Sequence, residues 1–390
     1  MKRDVWIVCA IALVNSLSVT ILIPILYPYG RQFGLSDLET SFLFSIFSIA
    51  QFFATPVIGQ LSDRWGRRPL LLVSLAGTVV ANLMAGLAPT AGWLFLARFL
   101  DGITGGNNSV VQAVIADVTD AEERARGFSL FGAAFSVGFV LGPIVSLGAQ
   151  QISLGAAFLV AAAIASLALA LTMGFLPETR GHRPPQHRRF DLGLGQLITG
   201  LTIPKVGILL LINFLIGTTF TMFTFAFQPY FINVLHQDST SLTILFILYG
   251  ILGVLMQTFG LPRLTKKLNV LLILYLALFV RSLVFLAMPI WPNLTYFVLI
   301  TLFFSVFNSL VQPLINTLIS LNVNAQQQGV MMGLNSSYLS ISNGIGPIIA
   351  GVLVRQTDPV TYGYPLYLAG GCTLMVLLLA VKTRKKYAPI

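Results

Sequence analysis

The chain has 390 residues, 56% of them hydrophobic and only 9% charged, with a mean hydropathy of +0.85 and a formal net charge of +10. A water-soluble fold of this length cannot cover its surface with so few charges, whereas lipid substitutes for the missing polar surface. A basic balance can mark a nucleic-acid partner, but that needs a basic face on a soluble domain; no such domain is visible, so no nucleic acid is expected.

Apolar runs of about 20 residues or more, the length a helix needs to span a bilayer, recur along the chain. They fall near 4–29, 38–61, 69–88, 91–117, 124–150, 153–176, 204–233, 240–261, 268–289, 292–320, 328–354 and 361–382. They predict an all-α integral membrane protein of twelve transmembrane helices. The first run follows Lys2 and Arg3, as a signal peptide would, but it is too long and ends in no small-residue cleavage site. It reads as a retained helix. Cys9 and Cys372 lie in apolar runs at opposite ends of the chain and imply neither a disulfide framework nor a metal site.

Basic residues orient the chain. With both termini inside, Arg31 and Arg355 fall in outer loops, Arg98 and Arg281 fall within runs, and every other Lys and Arg lies on the cytoplasmic side. Both termini are therefore expected to be cytoplasmic. The longest polar interruption, PETRGHRPPQHRRFDLGLGQLITGLTIPK at 177–205, separates six runs from six. It divides the chain into an N-terminal six-helix bundle at 1–176, a cytoplasmic linker at 177–203 and a C-terminal six-helix bundle at 204–390. Within the linker, Phe190 to Leu201 has apolar residues at near-helical spacing, which fits either a helix on the membrane surface or plain coil.

Two short repeats relate the halves. NSVVQ at 108–112 is matched by NSLVQ at 308–312, and GFVLGPIVSLG at 138–148 by SNGIGPIIAG at 342–351. Each pair occupies the same place in its six-run half, so the halves read as pseudo-symmetric parallel repeats. Transporters built of two such halves carry their site near the midplane between them.

Several stretches resemble the major facilitator superfamily: GQLSDRWGRRPLLLVSLAG between the second and third runs, ARFLDGITGG in the fourth, GFVLGPIVSLG in the fifth and PET closing the sixth. LARFLDGITGGNNSVVQAVIADVTDAEERARGF is similar to the tetracycline efflux proteins of the drug:proton antiporter branch. The resemblance is close through 55–148 and looser elsewhere. It implies the major facilitator fold, transport by alternating access, and efflux of drug-like compounds.

GQLSDRWGRR at 59–68 packs Asp63, Arg64, Arg67 and Arg68 into a chain otherwise poor in charge. Gly59 and Gly66 suit a tight turn between helices, and Pro69 suits a helix start. The arginines alone can be a topology signal, which leaves Asp63 unexplained. The resemblance implies that Asp63 faces the N-terminus of the eleventh helix, whose partial positive charge favours an anion. It implies too that Arg67 pairs with Asp117, so that the knot, with Arg68 beside it, is a gate that holds the cytoplasmic side shut. In the fifth-run motif Gly138, Gly142 and Pro143 allow close packing and a bend at the interface of the halves. The family's closing Gly pair reads Ser146–Leu147 here, and the motif favours export by analogy only.

Ionisable and amide groups inside the membrane are functional by default. Arg98, Asp101, Asn108 and Gln112 share one face of a continuous fourth helix, with Gly105 between. Asn308, Gln312 and Asn316 form a stripe on the tenth, Asn213, Thr221, Thr224 and Gln228 on the seventh, and Asn335, Tyr338 and Ser342 on the eleventh. Each stripe fits either a substrate cavity or interhelical glue. Arg281 lies off the cavity helices and reads as snorkelling or paired. Tetracycline exporters carry acids where this chain has Asn15 and Ala81, so either coupling has moved to Asp101, the carboxylate placed well inside the membrane, or the protein is not proton-coupled in the familiar way. A carboxyl whose surroundings change between two access states can carry a proton.

An enzyme would need a nucleophile with a base, or metal ligands. His182, His187 and His236 fall in the linker or an outer loop, so neither catalysis nor a metal is expected. The expectation is a secondary active transporter in the cell membrane (the bacterial inner membrane), exporting small amphipathic compounds. It needs no cofactor, has a proton gradient as its driving force, and has a small-molecule substrate and lipid as partners of a monomer. The alternative is a facilitator or symporter for a neutral metabolite such as a sugar.

Overall fold

The computed structural model describes residues 3–119, 121–179, 194–323 and 328–386. Among these the chain is helical nearly throughout, with only an isolated bridge between Arg355 and Asp358 in extended pairing. The helices are α1 (Arg3–Thr20), α2 (Leu26–Gln32), α3 (Asp37–Trp65), α4 (Arg67–Gly86), α5 (Ala91–Thr104), α6 (Asn107–Val118), α7 (Ala121–Gln150) and α8 (Leu154–Phe175). They continue with α9 (Leu194–Thr202), α10 (Val206–Pro229), α11 (Ser239–Leu255), α12 (Leu261–Lys267), α13 (Val270–Ala287), α14 (Leu294–Leu321), α15 (Gln328–Leu353) and α16 (Tyr364–Thr383).

Nine helical segments among the described residues are long and apolar enough to cross a membrane. Three of the twelve runs are outside that set for physical reasons. The first breaks after Thr20, ahead of Pro24, which lacks an N–H and disfavours helix in the residue before it. The fourth breaks at Gly105–Gly106, so the continuous helix expected over 91–117 is two helices. The eleventh, α15, carries Asn335, Ser336, Ser337, Ser340, Ser342 and Asn343 along its length. Elsewhere, Val73, Leu167, Met173, Leu299, Phe303 and Val352 stand largely exposed, which suits hydrocarbon and not water.

The chain forms two compact units, one of Met1–Leu35 with Ile46–Leu192, the other of Ser36–Ser45 with Gly193–Ile390. In the first, α1 packs on α7 and α8, and α4 packs on α5 and α8. Small buried residues on α8 (Ala157, Ala161, Ala162, Ala165, Ala168) bring these backbones close, and Val8, Ile11, Leu71, Leu75, Val110 and Val114 fill the core. In the second, α10 packs on α15 and α16, and α13 packs on α14 and α16. An aromatic cluster joins these elements, with Phe223 stacked on Phe285 at 5.0 Å and tilted on Phe304 at 4.7 Å. Of the linker, 180–193 lies outside the described residues, including His182 and His187. Its end forms α9, a helix rather than coil, packed on α10 and α15 with Ile198 exposed.

The second repeat has the same geometry in both units. In the first, the Thr20 hydroxyl of α1 donates to Gly138 O of α7 at 2.7 Å, and a Cβ added at Gly142 would run into that hydroxyl. In the second, the Thr221 hydroxyl of α10 donates to Ser342 O of α15 at 2.8 Å, and a Cβ at Gly346 would run into it likewise. Gly138 and Gly142 are expected from sequence at the interface of the halves; the contacts they make are with α1, inside their own unit. Pro143 and Pro347 follow the glycines within their helices, where no N–H is available to bond back. Thr20→Val and Thr221→Val should each cost about 1 kcal/mol or less, read as a lower melting temperature of the purified protein. Thr→Ser at either site should lose less than Thr→Val. Equal losses for Val and Ser would mean that shape, not the hydroxyl, holds the pair.

Candidate functional site

The charged knot is mostly helix: α3 runs on to Trp65 and only Gly66, at φ +103°, separates it from α4. That backbone conformation strains any residue with a Cβ, so Gly66 makes the turn. Gly59, expected to serve the turn as well, sits inside α3 with nothing near the place of a Cβ. Arg67 gathers the charges: Nη1 lies 2.7 Å from Asp63 Oδ1 and donates to Ser62 Oγ at 2.7 Å, while Nε donates to Asp117 Oδ2 at 2.9 Å. The Glu178 carboxylate accepts from the backbone N–H of Arg67 at 2.9 Å and of Arg68 at 3.2 Å, an anion set on the positive end of α4. Arg68 Nη2 donates to Met173 O at 2.6 Å. Glu178 belongs to the PET stretch; its acid followed by polar sequence is visible, but the helix end it caps is distant in sequence. Residues 324–327, leading into the eleventh helix that Asp63 is expected to face, lie outside the described residues.

Within the first unit, Arg98 and Asp101 form a buried ion pair one turn apart on α5, Nη1 to Oδ2 at 3.1 Å. The guanidinium also lies over the Phe47 ring, 4.3 Å from its centroid. The break at Gly105–Gly106 ends the shared face expected for Arg98, Asp101, Asn108 and Gln112, leaving the last two half-buried on α6. Backbone groups freed by the break are met by protein: Gln51 Nε2 donates to Gly105 O at 2.8 Å and Ser74 Oγ to Thr104 O. Asn107, not the Asn108 expected from spacing, is buried and donates to Asn15 Oδ1 at 3.0 Å. The phase change at the glycines decides which asparagine turns inward.

In the second unit an amide chain crosses three helices. Asn213 Nδ2 donates to Asn335 Oδ1 at 2.6 Å, Asn335 Nδ2 to Asn316 Oδ1 at 3.1 Å, and Gln312 Nε2 to the same oxygen at 3.2 Å. Gln228 is fully buried and donates to Thr224 O at 3.2 Å. Tyr338, expected on the cavity stripe, is buried with its hydroxyl donating to Leu197 O of α9. Arg281 does not snorkel. It is 1% exposed, with Nη2 donating to Ile216 O and Thr219 Oγ1 at 2.8 Å each and Nη1 to Asn308 Oδ1 at 3.1 Å. Asn308 Nδ2 in turn donates to the Tyr249 hydroxyl at 2.8 Å.

Such a chain, with buried charges and amides inside long apolar helices, is a polytopic membrane protein with the polar interior of a transporter. The Major Facilitator Superfamily family model matches residues 8–347 and 209–389, and the chain belongs to that family. It is 28% identical to the tetracycline resistance protein, class B, of Escherichia coli, over 98% of this chain and 96% of that protein. It is 27% identical to multidrug resistance protein 1 of Bacillus subtilis, over 90% of this chain and 89% of that protein. Among solved structures it is similar to a mutant of the nucleoside transporter NupG, with a TM-score of 0.77 at 13% identity over 97% of this chain and 99% of that one. The human organic anion transporter MFSD10 (TETRAN) matches with a TM-score of 0.73 at 21% identity, over 97% and 98%. These two likenesses show the shared fold. The chain is a multi-pass membrane transporter; members of the family are not enzymes.

The two arms of Arg67 are unequal. The Asp63 side chain is 61% exposed and that of Asp117 27%, and solvent screens an exposed pair to little worth. Asp117→Asn should therefore lower stability by up to about 1 kcal/mol and Asp63→Asn by less, measured as melting temperatures of the purified protein. A larger loss at Asp63 would reverse that ranking.

Proposed function

We propose that the protein is a proton-coupled exporter of small amphipathic, drug-like compounds, working by alternating access in a bacterial inner membrane. In this reading all twelve runs cross the membrane, both termini are cytoplasmic, the protein acts as a monomer, and the proton gradient replaces any cofactor. Relatives named for resistance to tetracycline and to multiple drugs support the substrate class and the direction.

The observation that carries the coupling is Asp101. Among the described residues two acids are buried, Asp37 at the first position of α3 and Asp101 deep in the fourth run beside Arg98. A carboxylate held by a neighbouring guanidinium loses that partner's pull once it takes a proton. The free Arg98 then differs in its interactions between two access states, and such a difference is what lets protonation bias an equilibrium. Asn15 and Ala81 cannot take this role: neither side chain titrates. In everted membrane vesicles with tetracycline as probe, Asp101→Asn should abolish accumulation driven by a proton gradient and leave substrate exchange intact. Continued uphill pumping by Asp101→Asn would move the proton elsewhere. Wild-type transport indifferent to the gradient would favour a facilitator.

The knot around Arg67 then serves as the latch of the closed cytoplasmic side, tying α3, the start of α4 and the end of α6 in one cluster. Asp63→Asn should shift cysteine accessibility on α6 and α15 toward states open to the cytoplasm while the protein still folds. Unchanged accessibility would reduce the knot to a topology signal.

A further inference from the structure

Two guanidinium groups are buried among the described residues inside long apolar helices, and they are treated differently. Arg98 has Asp101 against it at 3.1 Å. Arg281 has only neutral acceptors: Ile216 O, Thr219 Oγ1 and Asn308 Oδ1, with the Phe220 and Phe285 rings 5.7 and 5.2 Å from its Cζ. Its Nε, like that of Arg98, is buried with no acceptor among the described residues, so the difference between the two lies in the missing counter-charge. Burying a cation without a counter-charge is costly, and a purely structural brace across helices is made at less cost by an amide. A permanent positive charge in this place calls for a negative partner that the described chain does not itself provide.

We propose that Arg281 is the anchor for the carboxylate of an amphipathic anion, a substrate class that rests on the transporter reading above. Asn308 Oδ1 stands on Nη1 where a carboxylate oxygen would bind, an sp² oxygen of the same reach without the charge. Asn308 is half-buried on the α14 stripe, as Tyr249 is on α11, so the amide can turn aside while Arg281 itself stays in place. The Tyr249 hydroxyl accepts from Asn308 and keeps its own proton to donate to the second carboxylate oxygen. Around the guanidinium, Phe285 and Phe304 lie 5.0 Å apart and Phe304 lies 6.0 Å from Tyr249, so the charge is lodged among aromatic rings rather than water. A charge-assisted bond is roughly twice as strong as a neutral one, and a carboxylate, unlike the amide, also neutralises the buried guanidinium, which is what offsets its own desolvation.

The test uses full-length protein in lipid nanodiscs, titrated by fluorescence with dansylglycine and dansylglycinamide, which share a body and differ in the charge of one end. Wild type should bind the carboxylate about tenfold more tightly than the amide. Arg281→Gln should bind the two alike. Asn308→Asp, which sets the protein's own carboxylate on Nη1, should also erase the preference while holding or raising the melting temperature. Wild-type affinities within about twofold of each other would overturn the proposal, as would absence of binding by either probe. So would an Asn308→Asp protein that keeps the full preference, or one that fails to fold, since a site made for an anion accepts one there. In each of those cases gradient-driven transport of tetracycline by wild type would leave the exporter reading standing.

Discussion

Hydrocarbon offers no hydrogen bonds, so each backbone or side-chain polar group placed within it must find its partner inside the protein, at several kcal/mol for each failure. The arrangement of this chain follows from that constraint. Where the fourth run breaks at Gly105–Gly106, the freed carbonyls are taken by Gln51 of α3 and Ser74 of α4, so the break pins α5 and α6 to two neighbours. The same glycines permit the approach: a Cβ at Gly106 would lie 2.6 Å from Ile58 Cγ2, and one at Gly105 2.9 Å from Gln51 Nε2. A helix interruption that would be a defect in lipid becomes the joint around which the first unit's polar residues are placed.

Charge obeys the same rule with a higher penalty. Arg98 is offset by Asp101 and by the face of Phe47, a neutral pair whose balance is lost when the carboxylate takes a proton and the guanidinium is left without its counter-ion. At the knot, by contrast, the Arg67 links reach solvent, and their value lies less in energy than in geometry. One guanidinium contacts α3 and α6 together while the Glu178 carboxylate fixes the first N–H groups of α4. Weak, exposed links of this kind can be broken and remade at little cost, as the proposed latch would need, whereas parting a fully buried pair costs more.

The runs and their polar residues are readable because both depend on composition and spacing, and spacing survives in the primary sequence. The GP repeat is readable too, and the structure gives it a mechanism in the Thr20–Gly138 and Thr221–Ser342 bonds. What cannot be read depends on partners distant in sequence. Apolar residues flank TGGNNS at 104–109 on both sides, so by length alone the fourth run looks unbroken, and a small phase error there picks Asn108 over Asn107. Arg281 looks peripheral because two of its acceptors, Ile216 O and Thr219 Oγ1, belong to α10, and a backbone carbonyl carries no mark in sequence. Tyr338 falls on its stripe by spacing, but α9 folds back to offer a carbonyl to it. Glu178 reads as the tail of one helix and is the cap of another.

The two units share a scaffold and differ in chemistry, and the reason is physical. The Thr-to-carbonyl contact needs a small residue opposite it in both units, because a Cβ at Gly142 or Gly346 collides with the hydroxyl whatever the protein transports. Steric positions of this sort are common to both repeats. Polar positions away from such contacts are under no shared steric demand: α5 carries an ion pair, while α10, α14 and α15 carry a chain of amides with a cation beside it. An ion pair can hold or release a proton; an amide chain cannot titrate, but it can exchange donors and acceptors with a ligand at little cost. In the proposed reading, coupling therefore falls to the ion pair of one unit and recognition to the amides and cation of the other.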